Sequence, residues 1–127
     1  MAKAKCDKMN ARIKKMWTDA LRSGHYQQGK TYLNHRGRFC CLGVLTDLYI
    51  KQDPSHRKWR DYGTGDGTMS FQGDAQLITQ DVVAWAGLVG NSPKVKVGES
   101  PRRKSLTELN DKGADFETIA DFIEKSL

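Results

Sequence analysis

Apolar side chains recur along this chain at helical spacing in three places. Met9, Ile13, Met16, Trp17, Ala20 and Leu21 fall at i, i+4, i+7, i+8, i+11 and i+12, which predicts one amphipathic helix over Met9 to Arg22 with Arg12, Lys14, Lys15 and Asp19 off its apolar face. Asp7 is placed to cap it, and Ser23-Gly24 to end it. The run Arg38-Phe39-Cys40-Cys41-Leu42-Gly43-Val44-Leu45-Thr46-Asp47-Leu48 is different. Read as a helix from Cys41 to Ile50, it is apolar nearly all round, with Thr46 and Asp47 the clear exceptions, so neighbours must cover it on most faces. It is the predicted centre of the core. Gly43 inside it costs about 1 kcal/mol relative to alanine, which predicts that another backbone approaches closely there. Asp53-Pro54 ends the helix, because the residue before proline is pushed out of the helical region. The last helix places Phe116, Ile119, Ala120 and Ile123 on one face behind a candidate Asp115 cap, and Leu127 extends that stripe.

Between these helices the pattern shortens. Lys30 to Leu33 and Arg38 to Cys40 flank the polar turn Asn34-His35-Arg36-Gly37 and read as a hairpin, after a polar loop from His25 to Lys30. Ser55 to Gly73 reads as a second hairpin whose turn is Gly63-Thr64-Gly65-Asp66-Gly67. Thr79 can cap a short helix that Gly87 closes, with Ile78 stapled onto Val83. Lys94-Val95-Lys96-Val97 alternates as an edge strand does, Pro101 to Lys104 reads as a basic linker, and Ser105-Leu106-Thr107-Glu108 has capping-box spacing before a helix closed by Gly113. About five helices packed on a small antiparallel sheet built from hairpins, an α+β fold in a single domain spanning residues 1–127, is the expected architecture.

Composition narrows the function classes. At 127 residues, 38% hydrophobic and 28% charged, the chain is long enough for one core and too evenly apolar to be disordered. No apolar run approaches the roughly 20 residues of a membrane span, and the basic start lacks the apolar stretch of a signal peptide, so a cytosolic protein is expected. Three cysteines, Cys6, Cys40 and Cys41, make no disulfide framework. The net charge of +6 is unevenly spread. Lys3, Lys5, Lys8, Arg12, Lys14 and Lys15 face only Asp7, Lys94 to Lys104 is again basic, and Ser105 to Leu127 is acidic. Such asymmetry points to an anionic partner.

Candidate chemistry is thin. Cys40 and Cys41 stand at a helix N-terminus, which lowers a thiol's pKa, so either is a conceivable nucleophile with His25 or His35 as base. Core packing is the stronger reading, since free cysteine is among the most buried residue types. Cys6, Cys40, Cys41, His25, His35 and His56 lack the paired spacing of a zinc site, and no metal or cofactor is implied. Gly63 to Gly67 resembles a phosphate loop in composition, but a strand-like run follows it where a helix is needed. Asn110-Asp111 can present an amide and a carboxylate to a ligand, or more simply satisfy backbone groups where helices meet. The fullest signal is basic and aromatic: Arg57, Lys58, Trp59, Arg60 and Tyr62, joined by Arg102, Arg103 and Lys104, suit phosphate contact with base stacking, or an acidic protein surface.

The order of motifs carries one resemblance. Trp17 and Leu21 followed by Tyr26-Gln27-Gln28-Gly29, then Phe39-Cys40-Cys41-Leu42-Gly43-Val44-Leu45, then Trp85-Ala86-Gly87-Leu88, then Leu109-Asn110-Asp111 with Phe116, Ile119, Ala120 and Ile123 resembles a group of small uncharacterised proteins of phages and prophages. The resemblance spans nearly the whole chain, implies a phage accessory protein made in the cytoplasm of a host bacterium, and brings no reaction or ligand with it. The expectation is therefore a non-catalytic protein that binds and blocks or sequesters a host component, an anti-defence or host-takeover factor. Its partner would be a host protein or an anionic nucleotide. Nucleic-acid binding and a small cysteine-dependent enzyme are the alternatives.

Overall fold

A computed structural model of the protein describes residues 8–52, 58–99 and 102–127. Asp7, the expected first cap, and Asp53-Pro54, the expected stop of the central helix, lie outside them. The first helix, α1, spans Ala11–Arg22 and buries Ile13, Trp17, Thr18 and Leu21. Its cap is Asn10, whose side chain accepts from the Ile13 amide at 3.0 Å, so the helix begins after Met9. The buried helix α2 spans Cys41–Gln52, and every residue from Cys41 to Asp47 is buried. The close approach expected at Gly43 is present: a Cβ there would lie 2.6 Å from the Leu33 carbonyl carbon and 3.0 Å from its Cα.

The strands are shorter and more numerous than hydrophobic alternation predicts. β1 is Gln27–Gln28, β2 Asn34–His35, β3 Arg38–Phe39, β4 Arg60–Asp61 and β5 Thr68–Ser70, ordered β1-β3-β2-β5-β4 in one sheet. Two sequence expectations change here. Asn34 and His35 are strand residues, and the hairpin turn shrinks to Arg36-Gly37, both at positive φ (55° and 80°), as a two-residue turn matching strand twist requires. The supposed loop after α1 contains β1, which pairs with β3 in parallel. The Gly29 amide donates to the Phe39 carbonyl at 2.7 Å. A Cβ on Gly29 would sit 2.9 Å from that of Arg38, so glycine lets this edge close up. The second hairpin, β4 with β5, forms as expected around Gly63 to Gly67.

The rest of the chain wraps the core. α3 spans Gln80–Ala86 and ends at Gly87 with φ 75°. Thr79 holds the cap position without a side-chain hydrogen bond. β6, Lys94–Lys96, pairs antiparallel with β7, Arg103–Ser105, as a separate two-stranded ribbon, so Arg103 and Lys104 of the supposed basic linker are strand. α4 spans Leu106–Asp111 and is capped by Ser105, which accepts from the Glu108 amide at 3.1 Å. α5 spans Phe116–Ser126 and is capped by Asp115. Trp17, Leu33, Leu42, Leu45, Phe71, Ile119 and Ile123 are fully buried in one cluster, each worth about 1.5–3 kcal/mol of transfer free energy for the aliphatic and Phe side chains. Outside the core, Arg22 ties α1 to α5 through Asp121 at 2.7 Å and Glu124 at 3.0 Å. The architecture is α+β, with five helices among the described residues.

Candidate functional site

The thiols are packed where chemistry cannot reach them. Cys40 and Cys41 are buried at the start of α2. Burial pushes the Cys40 thiol up to about 11, only partly offset by amides of the first helical turn, and pushes Cys41 well above its ordinary value. The helix start therefore does not produce the thiolate that its position suggested, because loss of water outweighs the amide contribution. Among the described residues no hydrogen bond joins either thiol to a histidine. His35 shares its Nδ1 with the Thr68 hydroxyl at 2.8 Å and stacks on Tyr32, and the His25 amide donates to Ser23 Oγ. No group of three or more histidine, cysteine, aspartate or glutamate side chains among the described residues could hold a metal ion; Cys6 and His56 lie outside those residues.

Trp59 sits in the core's aromatic layer. Its indole N–H donates to Asp47 Oδ1 at 3.0 Å, and its ring meets Phe39 and Phe71 edge-on. Asp47, itself buried, also accepts from the Tyr26 hydroxyl at 2.6 Å and pairs with Lys51 at 3.0 Å. Burial and the Asp47 carboxylate together hold the Tyr26 phenol protonated well above its ordinary range. Tyr26, Asp47 and Lys51 line an open groove of about 740 Å³ with His25 and Asp19, but its lysine is neutralised by Asp47. Asn110 and Asp111 prove structural as well. The Asn110 amide donates to the Gly29 carbonyl at 2.7 Å, and its Oδ1 accepts from Gln28 Nε2 and the Cys41 amide. Asp111 accepts from the Thr31 amide at 2.8 Å. In the glycine-rich turn, Asp66 accepts from the hydroxyls of Thr64 and Thr68, and Asp61 from the Gly63 amide. Carboxylates thus take up the Gly63 and Thr68 amides and the Thr64 and Thr68 hydroxyls of this turn.

The basic residues divide between two sheets. Lys58, Arg60 and Tyr62 are exposed along β4 and its flanks, Tyr62 at 48%, while Arg103 and Lys104 belong to β7 and Arg102 precedes it. Arg57 lies outside the described residues. The ribbon register decides which of the second group converge. Lys94 opposes Ser105 and Lys96 opposes Arg103, so Lys94, Lys96 and Arg103 share one face of the ribbon, because strand side chains alternate. Lys104 opposes Val95, which is fully buried on the other face.

Beside this face lies a cleft of about 520 Å³ lined by Lys8, Leu88, Val89, Gly90, Ser92, Pro93, Lys94, Arg103, Ser126 and Leu127, within the size range of ligand sites. Val89 is 79% exposed, the most exposed large apolar side chain described. Neither Lys8, Lys94 nor Arg103 has an ion-pair partner among the described residues. The lining combines the aliphatic side chains of Leu88, Val89, Pro93 and Leu127 with three cations, Lys8, Lys94 and Arg103. Of the binding candidates Arg57, Lys58, Trp59, Arg60, Tyr62, Arg102, Arg103 and Lys104, only Arg103 lines it among the described residues. Lys94 carried a legible signal, the alternation of an edge strand, but its register against Arg103 across the ribbon did not.

A family model described as "Domain of unknown function (DUF8296)" matches residues 9–127, and the chain belongs to that family. No curated protein and no solved structure matches it.

Proposed function

We propose that this member of the DUF8296 family is a non-catalytic phage accessory protein that acts in the cytoplasm of a host bacterium. It binds an anionic host component and blocks or sequesters it, in an anti-defence or host-takeover role. The observation that supports this reading best is the cleft beside the β6–β7 ribbon, where Lys8, Lys94 and Arg103 stand among apolar side chains with no carboxylate paired to them among the described residues. Unpaired cations at a cleft raise the association rate of an oppositely charged partner and discriminate against cations. The buried, protonated state of Cys40 and Cys41 argues for occupancy rather than covalent chemistry.

The test is native mass spectrometry, with peptide identification, of tagged protein purified from bacterial cells, comparing wild type with the Lys94→Glu/Arg103→Glu double variant. A nucleotide or a host polypeptide should travel with the wild type in stoichiometric amount and be lost from the variant. Retention in both, or in neither, overturns the assignment to this cleft. A variant with Cys40 and Cys41 each replaced by alanine that remains folded should keep its cargo, and loss of the cargo would favour the cysteine-dependent alternative.

A further inference from the structure

Resting on that reading of the cleft, we infer that its occupant is an acidic polypeptide segment carrying an aliphatic side chain, not a nucleotide. Three features of the cleft point this way. Its apolar lining is aliphatic, supplied by Leu88, Val89, Pro93 and Leu127, and no aromatic ring among the described residues lines it. The rings that the sequence offered for base stacking stand elsewhere: Trp59 is held edge-on by Phe39 and Phe71 with its N–H on Asp47. A base would lose the stacking that makes aromatic platforms effective, whereas a leucine or isoleucine side chain loses nothing on such a lining.

The cations are spread rather than converged. Lys94 and Arg103 lie two register steps apart across the ribbon, since Arg103 opposes Lys96, a diagonal of about 7–8 Å between backbones. Lys8 comes from before α1, outside the ribbon. Carboxylates placed at intervals along an extended chain match that spacing better than one compact phosphate. The last turn of α5 also ends at the cleft, through Ser126 and Leu127, and the carbonyl end of a helix disfavours a concentrated dianion set against it.

The backbone adds the third feature. Leu106 N–H donates to the Pro93 carbonyl within the ribbon, so by antiparallel alternation the amides of Lys94 and Lys96 point to the outer edge of β6. Lys96 uses its amide there, donating to Ser126 Oγ at 2.9 Å. The Lys94 amide stands on the same edge, at the cleft, where an extended peptide can add a backbone hydrogen bond to its side-chain contacts.

The experiment is an amide-shift NMR titration of the intact protein with four probes: an octapeptide of six glutamates around a central Leu-Leu pair, the same peptide with both leucines replaced by serine, ATP, and inorganic phosphate. The leucine peptide should shift the amides of residues 88–92, 94 and 103 and bind on the order of tenfold more tightly than the serine peptide, the discrimination typical of burying an aliphatic side chain. Val89→Asp, a change at an exposed position that should leave the fold intact by circular dichroism, should remove that preference. Equal binding of the two peptides, or shifts that map away from the cleft, overturns the inference. If ATP shifts these amides and the leucine peptide does not, the peptide assignment falls while the anion-binding function stands. If no probe shifts them, both fall.

Discussion

Asn110 makes the sharpest structural prediction, because one buried amide joins three parts of the chain. It is fully buried, donates to the Gly29 carbonyl at 2.7 Å, and accepts from the Cys41 amide at 3.2 Å and from Gln28 at 3.0 Å. Gln28 has a second acceptor in the Ala114 carbonyl at 2.8 Å, so of the three partners Asn110→Ala orphans two, the Gly29 carbonyl and the Cys41 amide. The Cys41 amide is at the start of a buried helix, with no preceding turn to satisfy it. Leaving a buried polar group without a partner costs about 1–3 kcal/mol. With Gly29 only half-buried, the two together come to about 3 kcal/mol. For a chain of this length that corresponds to roughly 10 °C in Tm and, at about 2 kcal/mol per molar, to roughly 1.5 M in the urea midpoint. Urea unfolding followed by tryptophan fluorescence measures it. Asn110→Asp should be at least as harmful, since it replaces the donor facing Gly29 with a carboxylate oxygen. A loss below about 1 kcal/mol in both variants would refute the assignment of Asn110 as the junction of β1, α2 and α4.

Other predictions follow from the same packing. Gly43→Ala gains about 1 kcal/mol of helix propensity but drives a methyl into the Leu33 carbonyl. Backbone cannot swing aside, so overpacking of about 1–3 kcal/mol or more wins, and Tm should fall, where a rise would show the sheet free to move. Asp66 is held down to about 2 by the hydroxyls of Thr64 and Thr68, and Glu108, Asp115 and Glu124 are also lowered, by Lys112, the Thr118 amide and Arg22. A carboxyl lowered in the folded chain adds stability that is complete above its ordinary pKa and fades as pH falls through the folded value. Tm should therefore be flat from pH 7 to 5 and drop between about pH 4 and 2, with a shallower drop in Asp66→Asn. In a Cys6→Ser background, Cys40 and Cys41 should resist a thiol reagent in the native protein and react at the rate of unfolding. Fast labelling of the folded chain at neutral pH would contradict their burial.

The helices were legible because their signals are local. The stripe of α5, the Ser105 and Asp115 caps and the all-round apolar surface of α2 each lie within a dozen residues, and the structure reproduces them. Even the close approach at Gly43 could be anticipated, since a glycine in so apolar a helix needs a neighbour to justify it. The short strands were not legible. Gln27–Gln28 has no apolar alternation, and its place in the sheet depends on Gly29 reaching Phe39, ten residues on. Asn34 and His35 read as turn by composition, yet Leu33, drawn against Ala75 by a 2.8 Å hydrogen bond, carries the strand through them. The site fared similarly. Trp59 amid Arg57, Lys58 and Arg60 looks like a stacking platform until Asp47, on another element, takes its N–H. Lys94 and Arg103 come onto one face only through cross-strand register, which hydrophobic patterning along one segment does not encode.

Lys8, Lys94 and Arg103, with no ion-pair partner among the described residues, can hold an anion at the cleft. Fluorescence-polarisation titration of the labelled leucine–glutamate octapeptide at rising salt, against wild type and the Lys94→Glu/Arg103→Glu variant, tests that directly. Wild-type affinity should fall as salt screens the exposed cations, and the variant should bind at least tenfold more weakly at low salt while unfolding at the same temperature. Equal affinity in the two proteins, or binding indifferent to salt, would contradict it.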